Sequence, residues 1–229
     1  MKQNQLTGTK EDSLSEQVSD EYRKLANSYD RRWSAYLQHT HEMALRYLRP
    51  EPEDTILDCS GGTGKFAEQL VSVPDTHVVI TDFSRSMLDE AEKKFQSEIH
   101  RVELIKTDSH SLPFESGRFN KIYNLNSLHF YDSADTVLDE MARVLSPGGN
   151  LLVLDWSSDT FTFRLIEKFM RVIGKPFGKV FSRIDLEKSI KSKGLNILHS
   201  LNWSWRGWSF AMVIAEKPFQ TAELLNPAV

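Results

Sequence analysis

The chain contains a single cysteine, Cys59. No intrachain disulfide can form, and a reducing interior fits. No apolar run approaches the roughly 20 residues of a membrane span. The opening residues, MKQNQLTGTKEDSLSEQ, lack the apolar core of a secretion signal and read as a flexible lead-in to a cytoplasmic protein. There is no excess of positive charge: the net charge is −4, which gives no reason to expect a nucleic-acid partner. No internal repeat is visible. No cluster of His, Cys, Asp and Glu has metal-ligand spacing, so no metal is expected.

What is present suits a globular chain. Of 229 residues, 40% are apolar and 26% charged, enough to bury a core. From Ser19 to Leu48 apolar residues recur at three- and four-residue steps, a helical pattern stopped by Pro50 and Pro52. Then the period changes. TILDC, THVVITD, RVELIKTD, FNKIYNLN and NLLVLDW read as strands. KFAEQLVS, RSMLDEAEKKFQ (with Ser84 as N-cap) and SADTVLDEMARVL (stopped by SPGG) read as the helices between them. Strands that are continuous apolar runs and alternate with helices predict an α/β fold: a doubly wound, Rossmann-like, mostly parallel sheet with helices on both faces. Such a sheet binds ligands outside the carboxyl ends of its strands. After Trp156 come an amphipathic helix, FTFRLIEKFMRVIG, and a shorter one ending at Gly194. LNILHSLNW and FAMVIAEK, joined by the turn-like SWRG, should pair antiparallel at the sheet edge. The expected layout is a lead-in over 1–18, one domain over 19–220 and a tail over 221–229. Within the domain, 19–50 is a helical cap and 157–183 a lid insertion.

The segment after the first strand, DCSGGTGKF, has three candidate meanings. An ATPase phosphate loop needs a glycine at Cys59 and a hydroxyl residue at Phe66, and has neither. A dinucleotide fingerprint needs Gly-x-Gly-x-x-Gly, and neither Ser60 nor Gly62 starts a register with three glycines. The third meaning is an acid followed by small residues at alternate positions: Asp58, Ser60, Gly62, Gly64. Here the chain resembles the class I S-adenosylmethionine-dependent methyltransferases, over about Tyr29 to Lys217. KTDSHSLPFESGRFN, LHF at 128–130 and RVLSPGGNLLVLDW match further segments of that family in order. The resemblance implies S-adenosylmethionine as cofactor. The glycines let the backbone pass close under it. Asp82, ending the second strand, takes the ribose hydroxyls. Phe83 and Met87 pack the adenine, and Asp108 with Ser109 face its amino group. Asn124 at the fourth strand and Tyr29 from the N-terminal helix, near the methionine end, complete the set. The family commonly has glycine in place of Ser60 and aspartate in place of Asn120. A Cβ at Ser60 disfavours a left-handed backbone there.

Plainer roles stand beside these. Asp58 could serve only as a turn cap, and Asp82 could cap the next helix. Cys59 reads as a small buried residue. Trp203, Trp205 and Trp208 fit either a pocket or edge packing, and Trp33 and Tyr36 an anchor for the N-terminal helix. Methyl transfer from a sulfonium needs alignment more than a conspicuous catalytic group. If the acceptor must lose a proton, His129 is the first candidate base and Asp155 the second, although His129 could equally be structural. The acceptor is expected to be a small molecule or lipid-like. A protein or nucleic-acid methyltransferase, or a non-catalytic cofactor-binding module, is the alternative. The insertion Phe161 to Arg183 holds six Lys or Arg (Arg164, Lys168, Arg171, Lys175, Lys179, Arg183) and one acid, Glu167. Its apolar positions are Phe163, Ile166, Phe169, Met170, Ile173, Phe177 and Phe181. It reads as a lid with its apolar side on the sheet, or as a lid that also touches an anionic membrane.

Overall fold

A computed structural model describes residues 14–172 and 178–219. Its centre is a seven-stranded sheet of order β3-β2-β1-β4-β5-β7-β6. The strands are β1 (Thr55–Cys59), β2 (His77–Asp82), β3 (Val102–Lys106), β4 (Phe119–Leu125), β5 (Leu145–Trp156), β6 (Asn196–Trp205) and β7 (Trp208–Glu216). β1 to β5 run parallel, and β7 enters antiparallel between β5 and β6. The predicted antiparallel pair is therefore present, closed by Arg206 and Gly207, both at positive φ (48° and 87°). That conformation matches the right-handed twist of a two-residue hairpin.

The helices are α1 (Leu14–Leu25), α2 (Tyr29–Arg32), α3 (Ser34–Tyr47), α4 (Ala67–Leu70), α5 (Arg85–Lys94), α6 (Ala134–Val144), α7 (Phe161–Val172) and α8 (Arg183–Ser192). Strand alternation sends successive side chains to opposite faces. Leu57, Cys59, Leu151, Val153, Ala211 and Val213 meet Val137 and Met141 of α6 and Leu186 and Ile190 of α8. Ile56, Leu152, Leu154, Phe210 and Met212 meet Leu37 and Ala44 of α3, Leu70 of α4 and Leu88 of α5.

Several expectations need correction. The lead-in is helical from Leu14, because Leu14, Val18, Tyr22 and Leu25 form a helical stripe within a polar segment. Residues 1–13 and the expected tail lie outside the described residues. The single pattern over 19–48 is three helices, broken at a one-turn 3₁₀ segment (Ala26–Ser28) and at Trp33. KFAEQLVS shortens to four helical residues. SPGG lies within β5, with Gly148 at φ 75°. Ser84 occupies the N-cap of α5, but its Oγ pairs with Ser86 Oγ (3.0 Å) rather than with a helix N–H. Gly194 ends α8 as expected, at φ 79° with its N–H on Lys191 O (3.0 Å).

Asn120 sits at the amino-terminal end of the sheet, opposite the ligand edge. Its Oδ1 accepts from Thr55 N (2.9 Å) and its Nδ2 donates to Asp54 Oδ1 (2.9 Å). Asp54 is buried and also binds Lys121 Nζ (2.5 Å). An amide fits here because it donates to a carboxylate. Asn120→Asp would set two acids face to face and should cost roughly 1–3 kcal/mol of stability at pH 7. Urea unfolding checks this, and an unchanged midpoint would contradict it.

Candidate active site

The turn after β1 lies against the end of β2. The register Cys59↔Thr81 brings it there. Gly61 N donates to Thr81 O (2.9 Å) and Gly62 N to Asp82 Oδ2 (2.9 Å). Asp82 Oδ1 accepts from Ser84 N (2.8 Å), so one carboxylate fixes both the turn and the start of α5. Each of its oxygens keeps a second acceptor site. A Cβ on Gly61 would fall 2.6 Å from Asp58 Oδ2 and 2.8 Å from Ile80. Gly62 and Gly64 are at φ 58° and 70°. Gly64 packs against Phe95 rather than lining the cavity, since a Cβ there would meet that ring at 2.6 Å.

Ser60 adopts the left-handed conformation, φ 58°, contrary to the expectation that its Cβ would exclude it. Its Oγ lies 2.7 Å from Tyr131 OH and 3.3 Å from Ser109 Oγ. Asn124, fully buried, donates through Nδ2 to Cys59 O (3.1 Å), Ser127 Oγ (2.8 Å) and Tyr131 OH (3.1 Å). Ser109 and Asn124 thus support the turn from below. Burial pushes the Cys59 thiol up to about 11, which suits an inert packed residue.

Above the turn is an open cavity of about 880 Å³, lined among others by Tyr29, Asp58, Ser60, Gly62, Asp82, Phe83 and Met87. Asp108 is not among its lining residues; it is half exposed and holds His110 through Oδ1 (Nδ1 at 2.6 Å). Lys65, which suggested a phosphate loop, pairs with Glu68 (2.5 Å) in an exposed ion pair. Asp58 Oδ2 is buried with no partner. Burial, then the charge of Asp82, pushes the Asp58 carboxyl up to about 7. Burial pushes Asp82 up to about 6 against its backbone hydrogen bonds.

A second cavity of about 800 Å³ adjoins the first and is mostly aromatic: Tyr22, Tyr29, Trp33, Tyr36, Phe130, Trp156 and Trp208 line it, with Glu21, Leu25, Asn126 and His129. His129 N and Nδ1 meet the two oxygens of Asp155 (2.7 and 2.5 Å), and Trp156 N also donates to that carboxylate (2.6 Å). With Nδ1 engaged by a carboxylate, the neutral ring keeps its lone pair at Nε2. Nε2 is buried without a partner, and the ring stacks on Trp156 (3.8 Å). Asn126, at φ 59°, accepts from Tyr36 OH (2.9 Å) and donates to Thr40 Oγ1 (3.0 Å). Trp208 alone of the three late tryptophans reaches this cavity. Trp203 and Trp205 gather around His39, with Trp203 Nε1 on His39 Nε2 (2.8 Å).

The second cavity was not foreseen. Tyr22, Asn126, Phe130 and Trp156 come from a helix, a loop, a one-turn 3₁₀ segment and a strand end, with no common spacing in sequence. Tyr29, expected near the cofactor, lines both cavities. The neighbourhood of LHF was the one signal available.

A doubly wound sheet with an antiparallel seventh strand, and a glycine turn held by an acid on the adjacent strand, is the frame of a nucleoside-binding transferase. Residues 56–149 match the family described as a methyltransferase domain. The chain is 30% identical over 187 residues to a demethylmenaquinone methyltransferase of Listeria monocytogenes serotype 4a, covering 78% of this chain and 77% of that protein. It is 28% identical over 187 residues to the ubiquinone/menaquinone biosynthesis C-methyltransferase UbiE of Neisseria gonorrhoeae, covering 72% and 74%. The chain belongs to the class I S-adenosylmethionine-dependent methyltransferases. Among solved structures, the [4+2]-cyclase SpnF shares the fold with a TM-score of 0.76 at 17% identity, over 93% of this chain and 99% of that one. A geranyl diphosphate methyltransferase in complex with S-adenosylmethionine shares it with a TM-score of 0.64 at 14% identity, over 77% and 84%. The cavity fits the cofactor: it offers a bare buried carboxylate oxygen on Asp58, and a Cβ at Gly62 would come within 3.1 Å of Met87 Cε and 4.0 Å of Asp82 Oδ2 on its wall.

The tether on Ser60 gives a coupled prediction. A non-glycine residue in the left-handed region costs about 1–2 kcal/mol. Tyr131→Phe removes the hydroxyl that holds it and should weaken cofactor binding up to about tenfold. Ser60→Gly should bind at least as tightly as the parent. In the double variant Tyr131→Phe should cost little, because glycine holds the turn unaided. Calorimetry measures the cycle. Additive losses, or a loss in Ser60→Gly alone, would make the Ser60 hydroxyl a ligand contact instead.

Proposed function

We propose that the enzyme methylates a small, ring-bearing, lipid-like acceptor held in the aromatic cavity. The observation that carries this is a shared wall: Tyr22, Tyr29, Asn126 and Phe130 line both cavities. That wall sets the two cavities side by side, as transfer between a cofactor in one and an acceptor in the other would require. When bound, the cofactor supplies a methyl group already activated by its sulfonium. The chain binds, orients and excludes water. Asp82 takes the ribose hydroxyls on its free acceptor sites, and Phe83 and Met87 flank the adenine. Asp58 faces the ligand with its bare Oδ2, over the floor of Gly61 and Gly62. Tyr29, with Tyr22 and Phe130, turns aromatic rings toward the positive centre.

His129 Nε2 accepts the proton that a hydroxyl-bearing ring must lose, and Asp155 holds its imidazole in the receptive tautomer. The relatives named for menaquinone and ubiquinone biosynthesis favour an acceptor of that kind, and stacked aromatic walls suit a planar ring. An acceptor with a lipid tail also calls for contact with a membrane surface.

Labelled S-adenosylmethionine incubated with a demethylated quinol should place label in the organic-extractable ring product. Cofactor binding with no label in any lipid extract would leave only a binding module. His129→Gln should lower turnover about 10²–10⁴-fold with cofactor affinity retained. Turnover equal to the parent's would remove the proton-transfer role.

A further inference from the structure

We infer that the outer face of α7 docks on an anionic membrane, beside the aromatic cavity. Of the apolar positions expected to face the sheet, Phe163 and Phe181 are buried and Phe169 is exposed, so the described part of α7 carries apolar side chains on an outer face as well. Phe163 points inward at 1% exposure and packs on Trp156 (ring centroids 5.8 Å) and Trp208, two walls of the aromatic cavity. Phe161, Leu165, Phe169 and Val172 are 75%, 54%, 63% and 78% exposed. They account for four of the nine exposed large apolar residues among those described. At about 100° per residue they fall within an arc of about 80°, roughly opposite Phe163. Arg164 and Lys168, both exposed, run along one edge of that arc. Ile173, Lys175 and Phe177 lie outside the described residues.

An apolar stripe edged by cations is the pattern of a helix that lies in the membrane interface. Its apolar side chains enter the boundary between headgroups and acyl chains, and its cations meet acidic headgroups. Charge selects this occupant. The described basic residues beside the stripe are Arg164 and Lys168, in a chain of net −4; the sequence of 161–183 carries six basic residues and one acid, of which Arg183 is paired with Glu187 at the start of α8. A second copy pairing this face with itself would bring Arg164 and Lys168 toward their own counterparts. No described helix is long and apolar enough to cross a membrane, so contact through α7 is peripheral. Because Phe163, on the opposite face of α7, packs on Trp156 and Trp208, the helix that docks also bears on two walls of the cavity that a lipid-like acceptor would enter. The inference rests on reading that cavity as the acceptor site, and vesicle binding is measured without turnover, so the two fail separately.

The full chain is co-sedimented at low ionic strength with vesicles of phosphatidylglycerol and phosphatidylcholine, and with phosphatidylcholine alone. Binding should be selective for the anionic vesicles. Arg164→Gln with Lys168→Gln should weaken it on the order of 25-fold, about fivefold per charge. Phe161→Ser with Phe169→Ser should abolish it while calorimetric cofactor affinity stays at the parent value, which shows that the fold is intact. Equal and negligible binding to both vesicle types overturns the inference, as does parent-like binding by both variants. A dimer that dissociates on Phe169→Ser, in a chain that ignores vesicles, assigns the stripe to a second copy and overturns it as well.

Discussion

One carboxylate, that of Asp82, holds the ligand edge of this molecule together. It receives Gly62 N–H on one oxygen and Ser84 N–H on the other. The first bond lays the β1 turn against β2, and the second starts α5 beside it. Gly61 must lack a side chain because Asp58 stands directly under it. The arrangement sets a buried acid, Asp58, beside a half-buried one, Asp82, and both are held well above the usual carboxylate range. In the ligand-free protein that is an unfavourable state. In the proposed function, a ligand bearing hydroxyls and a positive charge would relieve it, turning the electrostatic cost in the free protein into affinity.

The N-terminal helices complete the site and are stitched to the same turn. Asp30 accepts from Thr63 Oγ1 (2.6 Å) and from Lys94 Nζ (2.5 Å), and Lys94 also donates to Thr63 O (2.8 Å). Farther along, Tyr36 links Asn126 to Trp156, whose Nε1 donates to Tyr36 OH (2.9 Å). These contacts tie α2 and α3 to both cavities. Asn126 joins them at the window in a left-handed conformation that asparagine tolerates. Strain of this kind gathers where surrounding structure over-determines the backbone.

The sheet was legible because its central strands β1, β2, β4, β5 and β7 are largely buried apolar runs and the breaks between them have turn chemistry. The cofactor edge was legible because it is local: Asp58 through Gly64 and Asp82 through Met87 are two short stretches of fixed spacing. What could not be read is what depends on distant pairings. Ser60 looked unsuited to its turn, because the hydroxyl that holds it, on Tyr131, is 71 residues away. Asn120 read only as a departure from the family's aspartate, because its partner Asp54 is 66 residues away in sequence. The α7 pattern is amphipathic on two faces, so periodicity alone could not say which face is inward; Trp156 and Trp208 decide that by receiving Phe163.

The central claim is that ionised Asp82 holds both the turn and the cofactor. Calorimetric titration of S-adenosylmethionine into the parent and Asp82→Ala tests it most directly. At pH 8 both acids carry charge, and the variant should bind about 1.5–3 kcal/mol more weakly. Parent affinity should be full there and fall as pH drops through about 7 and then about 6, where Asp58 and Asp82 take up protons. Equal affinity in the two proteins at pH 8, with no fall toward acid pH, would contradict the account.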